Sequence, residues 1–217
     1  MSMSSCIRRA AEITGDWIRR CRRLPLHYRK NDFARRLKYQ PAYPPLADSL
    51  VKHLDFETVL DLGCGNGFLL APLVGAGKAA RGIELSADVR DALPENIRGL
   101  VDIGDFAESS GKYDLVCCVE VAEHIVSSRS IELVRTVCAR AKKWAYFSAA
   151  PPGQWGRGHI NCRPQKDWIG WFEREGWTYD NALTQLIRAD LQSLHKARWL
   201  RRNGMVFRPA GEGKANP

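Results

Sequence analysis

Apolar and polar positions change period along the chain, and that change divides it into elements. In segment 5–23, S-C-I-R-R-A-A-E-I-T-G-D-W-I-R-R-C-R-R, the residues Ile7, Ala10, Ala11, Thr14, Trp17, Ile18 and Cys21 fall on one side of a helix. Arginines gather on the other side, and Pro25 ends the segment. A short helix is predicted over 31–38, a linker at Q-P-A-Y-P-P (40–45), and a helix over 46–54. Short apolar strands then alternate with helices. The strands are T-V-L-D-L (58–62), A-R-G-I-E-L (80–85), L-V-D-I-G-D (100–105), Y-D-L-V-C-C-V-E-V (113–121) and W-A-Y-F-S-A-A (144–150). Helices are expected at 68–74, 88–93, 130–141 and 165–175. Segment 177–183 reads as a sixth strand, 185–202 as a long basic helix, and 205–208 as a closing strand. Such alternation implies an α/β fold, a doubly wound and mostly parallel seven-stranded sheet, with ligands bound beyond the carboxyl ends of its strands. The domain reading is a basic helical extension or lid at 1–45, the sheet domain at 46–209 and a disordered tail at 210–217.

Composition narrows the class. With 217 residues, 45% apolar and 26% charged, the chain suits one globular domain. No apolar run approaches the roughly 20 residues of a membrane span, and the first residues lack the apolar core of a secretory signal, so a cytoplasmic protein without membrane insertion is expected. Seven scattered cysteines without a C-x-x-C suit a reducing compartment better than a disulfide framework. The net charge of +9 is uneven. Residues 1–40 hold 11 Lys/Arg against 3 Asp/Glu and residues 186–217 hold 7 against 2, while the middle is mildly acidic. Basic termini of this kind are either solvated helix faces or contacts for something anionic, nucleic acid included.

Chemistry concentrates after the first strand. D-L-G-C-G-N-G places Asp61 before Gly63, Cys64, Gly65 and Gly67. The third glycine is misplaced for the G-x-G-x-x-G of a dinucleotide fold. The alternation instead resembles motif I of class I methyltransferases, which bind S-adenosylmethionine. That resemblance covers about residues 45–208. It implies that cofactor atoms pass close over the glycine backbone and that Asp61 meets the cofactor's ammonium directly or through water. It further implies that Glu84, 23 residues beyond Asp61, accepts the ribose hydroxyls, with Asp105 and Phe106 of I-G-D-F at the adenine. Cys64 reads as a small filler, since nothing basic flanks it.

After the fourth strand, E-V-A-E-H offers Glu120, Glu123 and His124 at helical spacing, and His159 follows the fifth strand. Two readings stand. In one, Glu120 approaches the methionine part of the cofactor, while Glu123, His124 and His159 serve catalysis, the histidines as general bases or as structural bonds. In the other, Glu120, Glu123, His124 and His159 hold a divalent metal (Mn, Zn, Co or Fe), as in small-RNA 2′-O-methyltransferases and some quinone-pathway O-methyltransferases, which this pattern resembles. Trp168, Trp171 and Phe172 are assigned to the core, and Trp155 to a wall over the acceptor. The expected activity is methyl transfer to a hydroxyl or amine of a small or carbohydrate-like acceptor. An RNA 2′-hydroxyl and a non-catalytic, cofactor-binding regulatory subunit are the alternatives.

Overall fold

The structure, a computed structural model, describes residues 28–211. The arginine-rich helix expected at 5–23 and all but the start of the C-terminal tail lie outside these residues. Seven strands form one sheet: β1 (Thr58–Leu62), β2 (Ala79–Glu84), β3 (Val101–Ile103), β4 (Tyr113–Val119), β5 (Ala141–Ser148), β6 (Trp177–Tyr179) and β7 (Met205–Pro209). Their spatial order is β3-β2-β1-β4-β5-β7-β6. Pairing is parallel from β3 to β5, and β7 runs antiparallel to both β5 and β6. The order reverses between β1 and β4, so a crevice opens there at the carboxyl ends of the strands.

The two-residue period of β4 explains why this strand lies at the centre. Leu115, Cys117 and Val119 join the apolar cluster on one face of the sheet, and Val116 and Cys118 join the cluster on the other. The first face is covered by α1 (Lys30–Arg36), α2 (Tyr43–His53), α3 (Leu70–Gly75) and, further along the chain, by Ile187 and Leu200. Short α4 (Glu95–Arg98) supplies buried Ile97 beside the glycine loop. The opposite face is covered by α5 (Ser130–Arg140) and α6 (Gln165–Arg174), whose Trp168 and Phe172 are fully buried, with Phe172 stacked 3.9 Å from Phe207. Among the described residues, no helix is long and apolar enough to cross a membrane.

Several expected elements differ. The linker at 40–45 is instead the end of a 3-10 helix (Leu37–Ala42) and the start of α2. Pro44 and Pro45 occupy the first turn of α2, where a missing amide forfeits no intrahelical bond. Phe33, Ala42 and Tyr43 are buried in the same core as the sheet, and a boundary at 45/46 falls inside α2. The helix at 88–93 is 3-10 (Ala87–Ala92), and α4 after it was not foreseen. The basic helix at 185–202 is two helices, α7 (Asn181–Asp190) and α8 (Arg198–Asn203), the second entered through Ala197 in the left-handed region (φ 57°). Asp180 caps α7 by accepting the Leu183 amide at 3.0 Å, which explains why the sixth strand stops at Tyr179.

Candidate active site

The turn after β1 shows why glycine recurs there. Gly63, Gly65 and Gly67 all have positive φ (71°, 50° and 69°). A Cβ on Gly63 would lie 2.6 Å from Val121, whereas one on Gly65 would meet nothing within 4 Å among the described residues. The loop is tied to β2, because the Gly63 and Cys64 amides both donate to the Ile83 carbonyl. Cys64 is buried and packs against Gly82, and burial pushes its thiol well up, so it is filler rather than a thiolate.

Gly63, Gly65, Glu84, Asp105 and Phe106 line a cavity of about 340 Å³ at the strand ends. The Glu84 carboxylate accepts the Gly65 amide at 3.0 Å and the Ser86 amide at 3.1 Å, which fixes its orientation at the cavity wall. Asp61 is nearly fully buried on a small void beneath the loop, which Arg36 also lines. Burial, with the nearby Glu84 charge, raises its carboxyl to about 8. Asp105 forks Arg129 at 2.6 and 2.7 Å, and the same guanidinium lies 4.3 Å from the centroid of Phe106. Its hydrogen bonds to Arg129 hold the Asp105 carboxyl below the usual range. Arg129 thus occupies the pair of residues read as the adenine position.

Tyr28, Arg36, Glu120 and His124 line this cavity and also a second one of about 270 Å³, which Glu123 and His159 complete. Glu120, Glu123 and His124 do not share a helical turn. Glu120 has φ 55°, and the chain bends there into a non-helical turn. The Glu120 amide is held by the Ser148 carbonyl at 3.0 Å and hydroxyl at 3.1 Å. The Ile160 and Asn161 amides donate to the Glu123 carbonyl at 2.8 and 3.1 Å, and this clamp sets His159 beside Glu123.

Ligand-type atoms of Glu123, His124 and His159 lie within 4.8 Å of one another. Glu120 stands outside that group, its carboxylate accepting from Asn203 at 2.9 Å and Gln154 at 3.2 Å. The four residues read together as one metal site therefore divide into three and one. His124 Nδ1 meets the Gly158 carbonyl at 3.1 Å and His159 Nδ1 meets the Gln154 carbonyl at 3.0 Å. A carbonyl only accepts, so each ring carries its proton on Nδ1 and presents Nε2 as a lone pair. The Tyr28 hydroxyl donates to His124 Nε2 at 3.2 Å, and His159 Nε2 lies 4.0 Å from Glu123 Oε1. Burial, reinforced by His159 and Arg36, lowers His124 to about 3. Glu123 is fully buried, and among the described residues neither carboxylate oxygen makes a well-aligned hydrogen bond, although the Glu120 carboxyl and the Ala150 backbone lie close; burial beside Glu120 raises its carboxyl far above normal.

Tyr28, Arg36 and Asn203 were not foreseen because they reach the site from distant parts of the chain, and Arg129 and Gln154 because, though five residues from His124 and His159, they belong to no motif. The one sequence signal was the basic, aromatic character of 28–39. Trp155, expected over the acceptor, lines the second cavity and is 85% exposed.

A family model described as a methyltransferase domain matches residues 26–182, and the chain belongs to that family. Its seven-stranded sheet is the class I fold of S-adenosylmethionine-dependent methyltransferases. The magnesium protoporphyrin IX methyltransferase of Synechocystis with bound SAM superposes with TM-score 0.59 at 19% identity, over 95% of this chain and 96% of that one. A sugar N-methyltransferase from Streptoalloteichus gives 0.65 at 15% identity, over 86% and 94%. In sequence, the chain is 32% identical over 105 residues to the ubiquinone biosynthesis O-methyltransferase of Paraburkholderia phytofirmans, and 34% identical over 106 residues to that of Paraburkholderia xenovorans. Each match spans 44% of this chain and 45% of the relative, so less than half of the length of those curated relatives is covered.

Proposed function

We propose that this methyltransferase moves the methyl group of S-adenosylmethionine to a hydroxyl of a small molecule seated in the second cavity. The carrying observation is the shared wall: Tyr28, Arg36, Glu120 and His124 border both cavities, so a cofactor in one and an acceptor in the other meet there. Glu84 receives the ribose hydroxyls, the glycine loop admits the cofactor chain, and Phe106 with Asp105 borders the adenine. Asp61 takes the amino-acid end, its carboxylate toward the ammonium. The acceptor oxygen attacks the methyl carbon in line, the carbon–sulfur bond breaks, and S-adenosylhomocysteine leaves as a neutral thioether. The hydroxyl proton has to go to a protein group.

His124 alone is a poor recipient. Burial, with His159 and Arg36 close by, disfavours the protonated imidazole, so His124 is a weak base where it stands. That weakness favours the metal-assisted reading, for which Glu123, His124 and His159 fit as ligands. Among the described residues the two buried oxygens of Glu123 lack a well-aligned donor, and both imidazoles are aimed by backbone carbonyls. A divalent transition ion held there would lower the pKa of the acceptor hydroxyl. Purified, untagged protein is expected to contain about one equivalent of such an ion, lost in His159→Ala. Chelator should stop transfer of labelled methyl while SAM binding persists. Metal-free protein that ignores chelator would leave Glu123 and the histidines as the proton route. Absence of any labelled product, with SAM bound, would favour a regulatory binding subunit.

A further inference from the structure

The second cavity has a charge asymmetry that its role in methyl transfer does not require. Glu120, Glu123, His124 and His159 line it together with Arg35, Arg36, Lys38 and Arg157, and Asp32 is a third acid. Asp32 is buried and faces two of these cations, Arg35 at 3.8 Å and Arg157 at 3.1 Å. Among the described residues, neither Arg36 nor Lys38 has a carboxylate partner. The Arg36 guanidinium lies 5.5 Å over the Tyr28 ring, with the neutral phenols of Tyr28 and Tyr43 as its chief electrostatic neighbours. The Lys38 ammonium stands 4.9 Å over the Tyr39 ring, and Tyr39 meets Trp199 edge to face at 4.8 Å. Cations set against aromatic faces rather than acids keep their charge available to a ligand. Five rings, Tyr28, Tyr39, Tyr43, Trp155 and Trp199, also border the space. Such rings favour a planar partner.

We propose that the acceptor is a planar aromatic hydroxyl compound carrying an anionic substituent. Its ring lies along the Tyr39–Trp199 pair, its anion meets Lys38 and Arg36, and its hydroxyl reaches His124. This rests on the second cavity being the acceptor site. A carboxylate and a phosphate both satisfy the cations. A polynucleotide would too, but a cavity of about 270 Å³ bordered by five aromatic side chains suits a single ring better than a strand.

The test separates charge from shape. Binding of 4-hydroxybenzoate, its neutral counterpart 4-hydroxybenzamide, and 4-hydroxyphenyl phosphate is followed by tryptophan fluorescence, with and without S-adenosylhomocysteine. The acid or the phosphate should bind at least tenfold tighter than the amide, and the stronger of the two identifies the anion. Lys38→Gln, on an exposed side chain, should remove most of that preference and Lys38→Arg should keep it, with the affinity for S-adenosylhomocysteine unchanged in both. Equal binding of acid, phosphate and amide, absence of binding by all three, or tighter binding of a short single-stranded RNA would overturn the proposal. Failure of the methyl-transfer reading shows differently, as lost S-adenosylhomocysteine affinity or absent transfer of labelled methyl while the anion preference remains.

Discussion

Glu84 does two jobs with one carboxylate, and each jobs's loss would be read separately. It takes the Gly65 and Ser86 amides, which fixes the loop, and it faces the cavity where ribose hydroxyls are proposed to lie. Glu84→Ala should weaken SAM binding at least tenfold in calorimetry, since charge-assisted bonds are worth roughly 1.5–3 kcal/mol each. Unchanged affinity would remove Glu84 from the site. The glycines divide in the same way. Gly63→Ala brings a Cβ 2.6 Å from Val121 in a left-handed conformation, so it should lower the melting temperature. Gly65→Ala has the same backbone cost, about 1–2 kcal/mol, but no clash, so it should fold and still bind SAM poorly. If Gly65→Ala binds SAM normally, the cofactor does not pass over that residue.

At the scale of elements, the strands were legible because buried parallel strands are short apolar runs between helices, and all seven were placed within a few residues. The residues read as the cofactor site share one cavity for the same reason: they sit at the ends of β1, β2 and β3. The part read as catalytic was less legible. E-V-A-E-H has helical spacing, yet Glu120 adopts φ 55°, because its amide is drawn to Ser148 on β5. Nothing local announces that contact. Nor does local sequence show that Asn203, at the end of α8, donates to Glu120 Oε1 at 2.9 Å and to Gln154 Oε1 at 3.0 Å. This buried amide joins α8, the 151–158 loop and the β4 turn. Asn203→Asp keeps its shape but replaces a donor with a second acid beside a buried carboxyl. The variant should melt below wild type, and the difference should be larger at pH 8 than at pH 5, because both acids tend to ionise at the higher pH. An equal loss at both values would mean that the two groups do not face each other.

Across the whole molecule, the burial of ionisable groups around the two cavities ties stability to pH. Asp61, raised from 3.8 to about 8, keeps its proton when folded and loses it when unfolded throughout the interval between those values. Rising pH therefore favours the unfolded chain by ~1.4 kcal/mol per unit over that interval. Glu120 and Glu123, shifted in the same direction, add to that slope. His124 acts oppositely: lowered from 6.5 to about 3, it binds a proton only in the unfolded chain between those values, so stability falls as pH drops through them. The opposing slopes overlap below pH 6.5, and above it the carboxyls act alone. The protein free of ligand and of any metal should be most stable on the acid side of neutrality, and its melting temperature should fall between pH 6.5 and 8. SAM should reverse that fall, because an ammonium beside Asp61 favours the ionised carboxylate. Its stabilising effect is then larger at pH 8 than at pH 5.5, and its binding at neutral pH releases protons to the buffer. Differential scanning calorimetry at the two pH values, with and without SAM, checks both statements. Asp61→Asn should flatten the ligand-free slope and make the stabilisation by SAM less dependent on pH. A melting temperature that holds steady or rises from pH 6.5 to 8 in the ligand-free protein would show that these carboxyls are already ionised in the folded state.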